Sequence, residues 1–241
     1  MTQAAARNPV LVAIDTTDLD RAKALAGRLS GAVGGLKLGL EFFNAHGPQG
    51  VREVAGGRGD LFLDLKYHDI PNTVAGAVRA AVALGPMMLN VHASGGAAMM
   101  RAALEAADDA ARRFGTRRPL VIAVTVLTSM DDDDLRAVGQ GAPAAGQVVR
   151  LARLAQDCGL DGVVCSPREI VAIRKACGAD FRLVVPGIRP VGTATEDQKR
   201  VMTPQEAMAA GADWLVIGRP ITGAADPAAA AQEILREIHG R

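Results

Sequence analysis

Eight short runs rich in Val, Ile and Leu recur along this chain, each followed by room for one helix. They begin at Val10 (VLVAID), Gly35 (GLKLG), Leu61 (LFLDLK), Met87 (MMLNVHA), Leu120 (LVIAVTVLT), Gly162 (GVVCS), Arg182 (RLVVPGI) and Trp214 (WLVIGRP). Their near-continuous apolar character fits strands covered on both faces, as in a parallel sheet under helices, because a half-exposed hairpin strand alternates instead. Spread over 241 residues, the runs leave about 30 residues per strand–helix unit, the size of a repeat in a (β/α)8 barrel. The expectation is therefore an α/β fold, a TIM barrel, as a single domain over residues 1–241. Periodicity alone leaves a doubly wound open sheet as the alternative.

The intervening helices have readable ends. Ala22, Leu25, Ala26 and Leu29 repeat at helical spacing, and Ser166-Pro167-Arg168-Glu169 and Thr203-Pro204-Gln205-Glu206 both read as capping boxes with proline at the first helical position. Gly85, Gly115 and Gly159 fall where a helix wants a left-handed terminal residue. The acidic run Asp131 to Asp134 reads as an exposed first helical turn, since consecutive carboxylates cannot converge on one ion. Arg112, Arg113, Arg117 and Arg118 read as a solvated basic helix end, and Met87, Met88, Met99 and Met100 as core filling.

Composition excludes several function classes. With 27 basic against 26 acidic residues and only one Trp, one Tyr and five Phe, the chain has neither the field nor the stacking surface of a nucleic-acid binder. No run approaches membrane-spanning length, and the apolar stretch before Asp15 is too short for a signal peptide. Cys158, Cys165 and Cys177 are odd in number, lack metal-type spacing and sit in apolar contexts, which points to reduced structural thiols and a cytoplasmic location. His46, His68, His92 and His239 are scattered and form no metal motif, and a structural role is expected for His92 at the end of its run.

In a TIM barrel, chemistry collects where the strands end at the C-terminal face, so charges late in apolar runs are informative. Asp15 ends the first run, Lys37 lies within the second, Asp64 and Lys66 lie late in the third, and Arg219 ends the eighth. Asp64 and Lys66 are two apart, so on a strand both point into the barrel mouth while Leu65 points away. Asp69 follows after the strand must turn. A lysine held between two carboxylates stays charged, which makes Lys66 a candidate acid.

The segment Asp64-Leu65-Lys66-Tyr67-His68-Asp69-Ile70-Pro71-Asn72-Thr73 resembles the signature of the orotidine 5′-phosphate decarboxylase family, in its type 1 bacterial branch. The resemblance extends from Asp15 and Lys37 through Leu127-Thr128-Ser129, Pro186-Gly187-Ile188-Arg189-Pro190 and Gln198 to Ile217-Gly218-Arg219-Pro220. It implies a homodimeric barrel that converts orotidine 5′-phosphate to UMP and carbon dioxide in de novo pyrimidine synthesis, without metal or organic cofactor. By the same resemblance, Asp15 and Lys37 contact ribose hydroxyls, and Lys37 also joins a charged array with Asp64, Lys66 and Asp69. Asp64 faces the substrate carboxylate and Lys66 gives a proton to C6. Asp69, Ile70 and Thr73 reach the neighbouring subunit's site. Thr128, or the adjacent Ser129, contacts the pyrimidine, and Arg189, Gln198, Gly218 and Arg219 hold the phosphate.

The chemistry asks for those residue types. Loss of carbon dioxide from C6 leaves an in-plane carbanion that the ring π-system cannot delocalise, so a fixed ammonium must stabilise the charge and then protonate it. The stretch from Gly187 to Met202 is long for a connector and reads as a lid that brings Gln198 to the phosphate. Two rivals remain: a metal-dependent sugar-phosphate decarboxylase or aldol synthase, and a catalytically silent nucleotide-phosphate barrel. Lys37 argues against the first, since its charge repels a divalent ion where those relatives carry an acidic ligand. Retention of Asp64, Lys66 and Asp69 argues against the second.

Overall fold

The computed structural model describes residues 8–141, 143–190 and 202–240. Eight parallel strands close into a barrel in sequence order: β1 (Val10–Ile14), β2 (Gly35–Gly39), β3 (Leu61–Tyr67), β4 (Met88–His92), β5 (Leu120–Val124), β6 (Gly162–Val164), β7 (Arg182–Val185) and β8 (Trp214–Ile217). Pairing of β8 with β1 closes the ring, which excludes the open sheet that periodicity had left possible. Around it run α1 (Leu19–Arg28), α2 (Leu40–Ala55), α3 (Pro71–Val82), α4 (Gly96–Phe114), α5 (Asp132–Ala137), α6 (Ala144–Asp157), α7 (Ile170–Cys177), α8 (Pro204–Ala210), α9 (Arg219–Thr222) and α10 (Pro227–Ile238).

Alternation along the strands builds two apolar layers. Leu11, Phe62, Met88, Ile122, Val184 and Trp214 pack together inside the barrel. Their strand neighbours, such as Val10, Val12, Leu61 and Leu63, join the larger core shared with the helices. The helix α4 buries Met99, Met100, Ala103, Ala106, Ala107, Ala110 and Ala111, the alanines being small enough for close packing against its neighbours. Met88, Met99 and Met100 are fully buried and Met87 packs against the inner layer, as core filling requires. The three cysteines are free and buried.

Local signals translate into ends. Thr203 and Glu206 cap α8 reciprocally, Ser166 and Glu169 form the second capping box, and Asp131 with Asp134 caps α5. Gly85, Gly115 and Gly159 adopt left-handed φ values of 68°, 64° and 84°. One expectation needs correction: Arg118 is not part of a solvated cluster. Both of its terminal nitrogens donate to Asp161 at 2.7 Å, and Asp161, just before β6, also accepts the N–H of Val121 in β5 at 2.7 Å. Arg118 supplies the cation that offsets the partly buried charge of this carboxylate. Asp213, just before β8, repeats the device: it accepts the N–H of Leu183 in β7 at 2.8 Å and pairs with Arg174 and Arg182.

These carboxylates tie neighbouring strands at the end of the barrel opposite the strand C-termini. Removing one takes the paired carboxylate from a partly buried guanidinium and leaves a strand N–H without its acceptor. Asp161→Ala is expected to lower stability by roughly 2–4 kcal/mol, read as a lower denaturant midpoint at unchanged slope, while Asp161→Asn recovers part of the loss.

Candidate active site

A cavity of about 470 Å³ opens at the C-terminal ends of the strands. Its floor is the inner apolar layer at Phe62, and its wall carries Asp15, Lys37, Asp64, Lys66, Thr128, Arg189, Gly218 and Arg219. These eight candidate residues come from segments as far apart as positions 15 and 219, and barrel closure brings them to one mouth. Thr128 lines the cavity and the exposed Ser129 does not.

The charged groups form a ladder of alternating sign. Lys37 Nζ lies 3.4 Å from Asp15 Oδ1 and 3.2 Å from Asp64 Oδ2, and Lys66 Nζ lies 2.6 Å from Asp64 Oδ1. Register explains the spacing. Gly39 sits beside Asp64 in the sheet, and a Cβ there would fall 3.1 Å from Lys37 Nζ and 3.5 Å from Asp15 Oδ1. The missing side chain is the space into which Lys37 folds.

Burial opposes ionisation of Asp64, yet Lys37, Lys66 and the hydrogen bonds from Lys66 and Asn90 outweigh it and hold the carboxyl below its usual range. Burial likewise opposes the charge on Lys37, and Asp64 and Asp15 overcome it and push its pKa up. By linkage, the stabilisation from Asp64 is present above its unfolded pKa and lost only as pH falls through a lower value. That from Lys37 is present below its unfolded pKa and lost only as pH rises through a higher one. Both groups therefore keep their charges across the neutral range.

Lys66 is the one non-glycine residue with positive φ, 50°, among the described residues. The register between β3 and β4 shifts between Leu63 and Tyr67, so Lys66 stands at an irregularity rather than on the regular strand that its spacing implied. Such a conformation costs about 1–3 kcal/mol and persists only where neighbours over-determine it. Here the neighbour is Asn90 on β4. Its Oδ1 accepts the N–H of Lys66 at 2.8 Å, and its Nδ2 donates to Asp64 Oδ1 at 2.8 Å. Sequence reasoning missed Asn90. The available signal was a lone carboxamide inside the apolar run MMLNVHA, which a buried strand carries only if its amide is satisfied.

Other candidates lie elsewhere. Asp69 does not reach Lys66 within one chain: its carboxylate accepts the adjacent Ile70 N–H at 2.6 Å on an exposed turn. Within one chain Lys66 is therefore flanked by Asp64 and not by Asp69, because the chain turns into α3. Ile70 is 67% exposed, and Thr73 is exposed in the first turn of α3. Gln198 lies outside the described residues. The ends of its segment are joined, with Ile188 bridging Met202 and the Arg189 N–H donating to the Met202 carbonyl at 3.0 Å. Among the described residues, no group of three or more His, Cys, Asp or Glu side chains is arranged to hold a metal ion, and no helix is long and apolar enough to cross a membrane.

A closed eightfold barrel with an ion-pair ladder and two arginines at its C-terminal mouth defines an enzyme of the TIM-barrel class that handles an anionic small molecule. Residues 8–234 match the family model described as orotidine 5′-phosphate decarboxylase / HUMPS family, and the chain belongs to that family. It is 62% identical over 235 residues to orotidine 5′-phosphate decarboxylase of Rhodospirillum rubrum, covering 97% of this chain and 95% of the relative. It is 55% identical to the protein of that name from Moorella thermoacetica, over 97% and 93% of the two chains. The solved structure of orotidine 5′-phosphate decarboxylase from Lactobacillus acidophilus superposes with a TM-score of 0.85 at 37% identity, over 96% of this chain and 99% of that one.

His92, at the end of β4, stacks on His68 with ring centroids 5.4 Å apart. Burial, then His68 and Lys66, lower its pKa to about 4 against the opposing pull of Asp64. A folded pKa below the unfolded value near 6.5 means that stability falls as pH drops from about 6.5 toward 4. Urea unfolding across that range should give a shallower pH dependence for His92→Asn than for the wild-type chain; parallel slopes would contradict the assignment.

Proposed function

We propose that this chain decarboxylates orotidine 5′-phosphate to UMP and carbon dioxide in pyrimidine synthesis, with Lys66 as proton donor to C6. The observation that carries the reading is the Asp64–Lys66 pair at 2.6 Å on the cavity wall, in a chain whose relatives above bear that activity in their names. In the reaction, the bond from C6 to the carboxyl carbon breaks, carbon dioxide leaves, and the electron pair left on C6 takes a proton from Lys66 Nζ. A preorganised ammonium lowers the energy of the developing carbanion and then quenches it. Asp64 orients that ammonium and lies against the substrate carboxylate.

The remaining roles are those the family resemblance implies. Asp15 and Lys37 face the ribose hydroxyls and Thr128 the pyrimidine. Arg189 and Arg219, with Gly218 and Gln198, take the phosphate, a use to which loops seven and eight of this barrel are often put. Arg189 and Arg219 share the cavity wall with Gly187 and Gly218, whose bare backbones allow close approach. A second copy of the chain supplies Asp69, Ile70 and Thr73 to the partner site. The exposure of all three and the absence of Asp69 from the single-chain ladder support that arrangement. Three free buried cysteines support a reducing, cytoplasmic setting.

The family description also names HUMPS, and the rival reading is a metal-dependent sugar-phosphate decarboxylase or aldol synthase. Lys37, seated between Asp15 and Asp64, places a cation where a metal-dependent relative needs an acidic ligand, and this favours the decarboxylase.

Chelator-treated protein mixed with orotidine 5′-phosphate should remove the orotate chromophore with multiple turnovers, and no turnover would overturn the reading. Lys66→Ala should remain folded with kcat lower by at least about a thousandfold, as expected when a group acting on the transition state is lost. Gln198→Ala should weaken kcat/KM severalfold without unfolding the barrel; unchanged kinetics would remove it from the phosphate site.

A further inference from the structure

Asn90 has no part in the substrate contacts assigned above. It is 1% exposed, it does not line the cavity, and its single carboxamide is bonded at both ends to the catalytic pair. We propose that Asn90 is a positioning residue for the decarboxylation, clamping the Lys66 backbone and the Asp64 carboxylate into one unit; this rests on the activity proposed above.

Three hydrogen bonds close a ring. Asn90 Oδ1 accepts the N–H of Lys66, Asn90 Nδ2 donates to Asp64 Oδ1, and the same Oδ1 of Asp64 accepts from Lys66 Nζ at 2.6 Å. Lys66 is thus held at both ends, its backbone by Asn90 and its ammonium by Asp64. The clamp is needed because the register shift after Leu63 leaves the N–H of Lys66 to be taken by a side chain, in a φ of 50° that a lysine does not adopt unaided. Without the acceptor, the backbone is free to relax toward negative φ, which re-aims the whole Lys66 side chain. A displacement of about 1 Å at a reacting group can cost on the order of a hundredfold in rate. Binding should be spared, because the arginines and Asp15 that face the rest of the nucleotide lie on other strands and loops.

Asn90→Ala removes both bonds. Asn90→Asp, nearly isosteric, keeps an acceptor for the Lys66 N–H but sets a second carboxylate against Asp64. The test measures steady-state turnover of orotidine 5′-phosphate, the Kd of UMP and thermal unfolding for both variants beside the wild-type chain. For both, kcat should fall at least about tenfold while KM and the UMP Kd stay within about threefold, the signature of a group acting through the transition state rather than through binding. A kcat within twofold of wild type in either variant would overturn the inference. So would a loss of kcat matched by an equal loss of UMP affinity, or failure of both variants to fold, since Asn90 would then be serving the barrel rather than Lys66. Absence of turnover by the wild-type chain would instead strike the proposed activity itself.

Discussion

The mouth of this barrel is organised around one buried carboxylate. Asp64 accepts from Lys66 and Asn90 on one oxygen and meets Lys37 on the other. A carboxylate taken from water at this depth is costly unless its lone pairs are filled, and here two cations and a carboxamide fill them. In return, Asp64 sets the place of each partner. Lys37 is drawn into the space left by Gly39, and Lys66 is pinned on an irregular turn of β3.

The barrel makes that arrangement possible by separating its tasks along the strand axis. At one end Asp161 and Asp213 tie adjacent strands through backbone N–H groups and arginines. In the middle, Phe62, Met88, Trp214 and their neighbours form a dry plug. Above the plug, the same inward-facing positions turn polar. The apolar floor keeps water from reaching the ladder from below, so its charges interact more strongly than they would on an open surface. The irregularity at Lys66 sits at the mouth, where a strained backbone disturbs the fewest core contacts.

Much of this was readable from residue order. Continuous apolar runs implied strands covered on both faces, and five charges within or at the ends of four of those runs named Asp15, Lys37, Asp64, Lys66 and Arg219, all of which line the cavity. Asn90 was not readable, because a buried amide signals only that it has partners and not which ones. Arg118 was misjudged for a related reason: its acceptor, Asp161, is distant in sequence and reaches it only through strand order. Spacing put Asp69 after the turn that ends β3 but not where its carboxylate points, and the chain's entry into α3 carries it to the surface.

The sequence by itself determined the period of the fold, the ends of its helices and the identity of the groups that carry charge, since these depend on local propensity and on which residue types can be buried. Tertiary structure decided which charges meet. Whether a lysine faces a carboxylate at 2.6 Å or stands alone depends on barrel closure, on strand register and on one backbone angle at Lys66. Those are set by packing across the whole ring, where every strand fixes the height of the next.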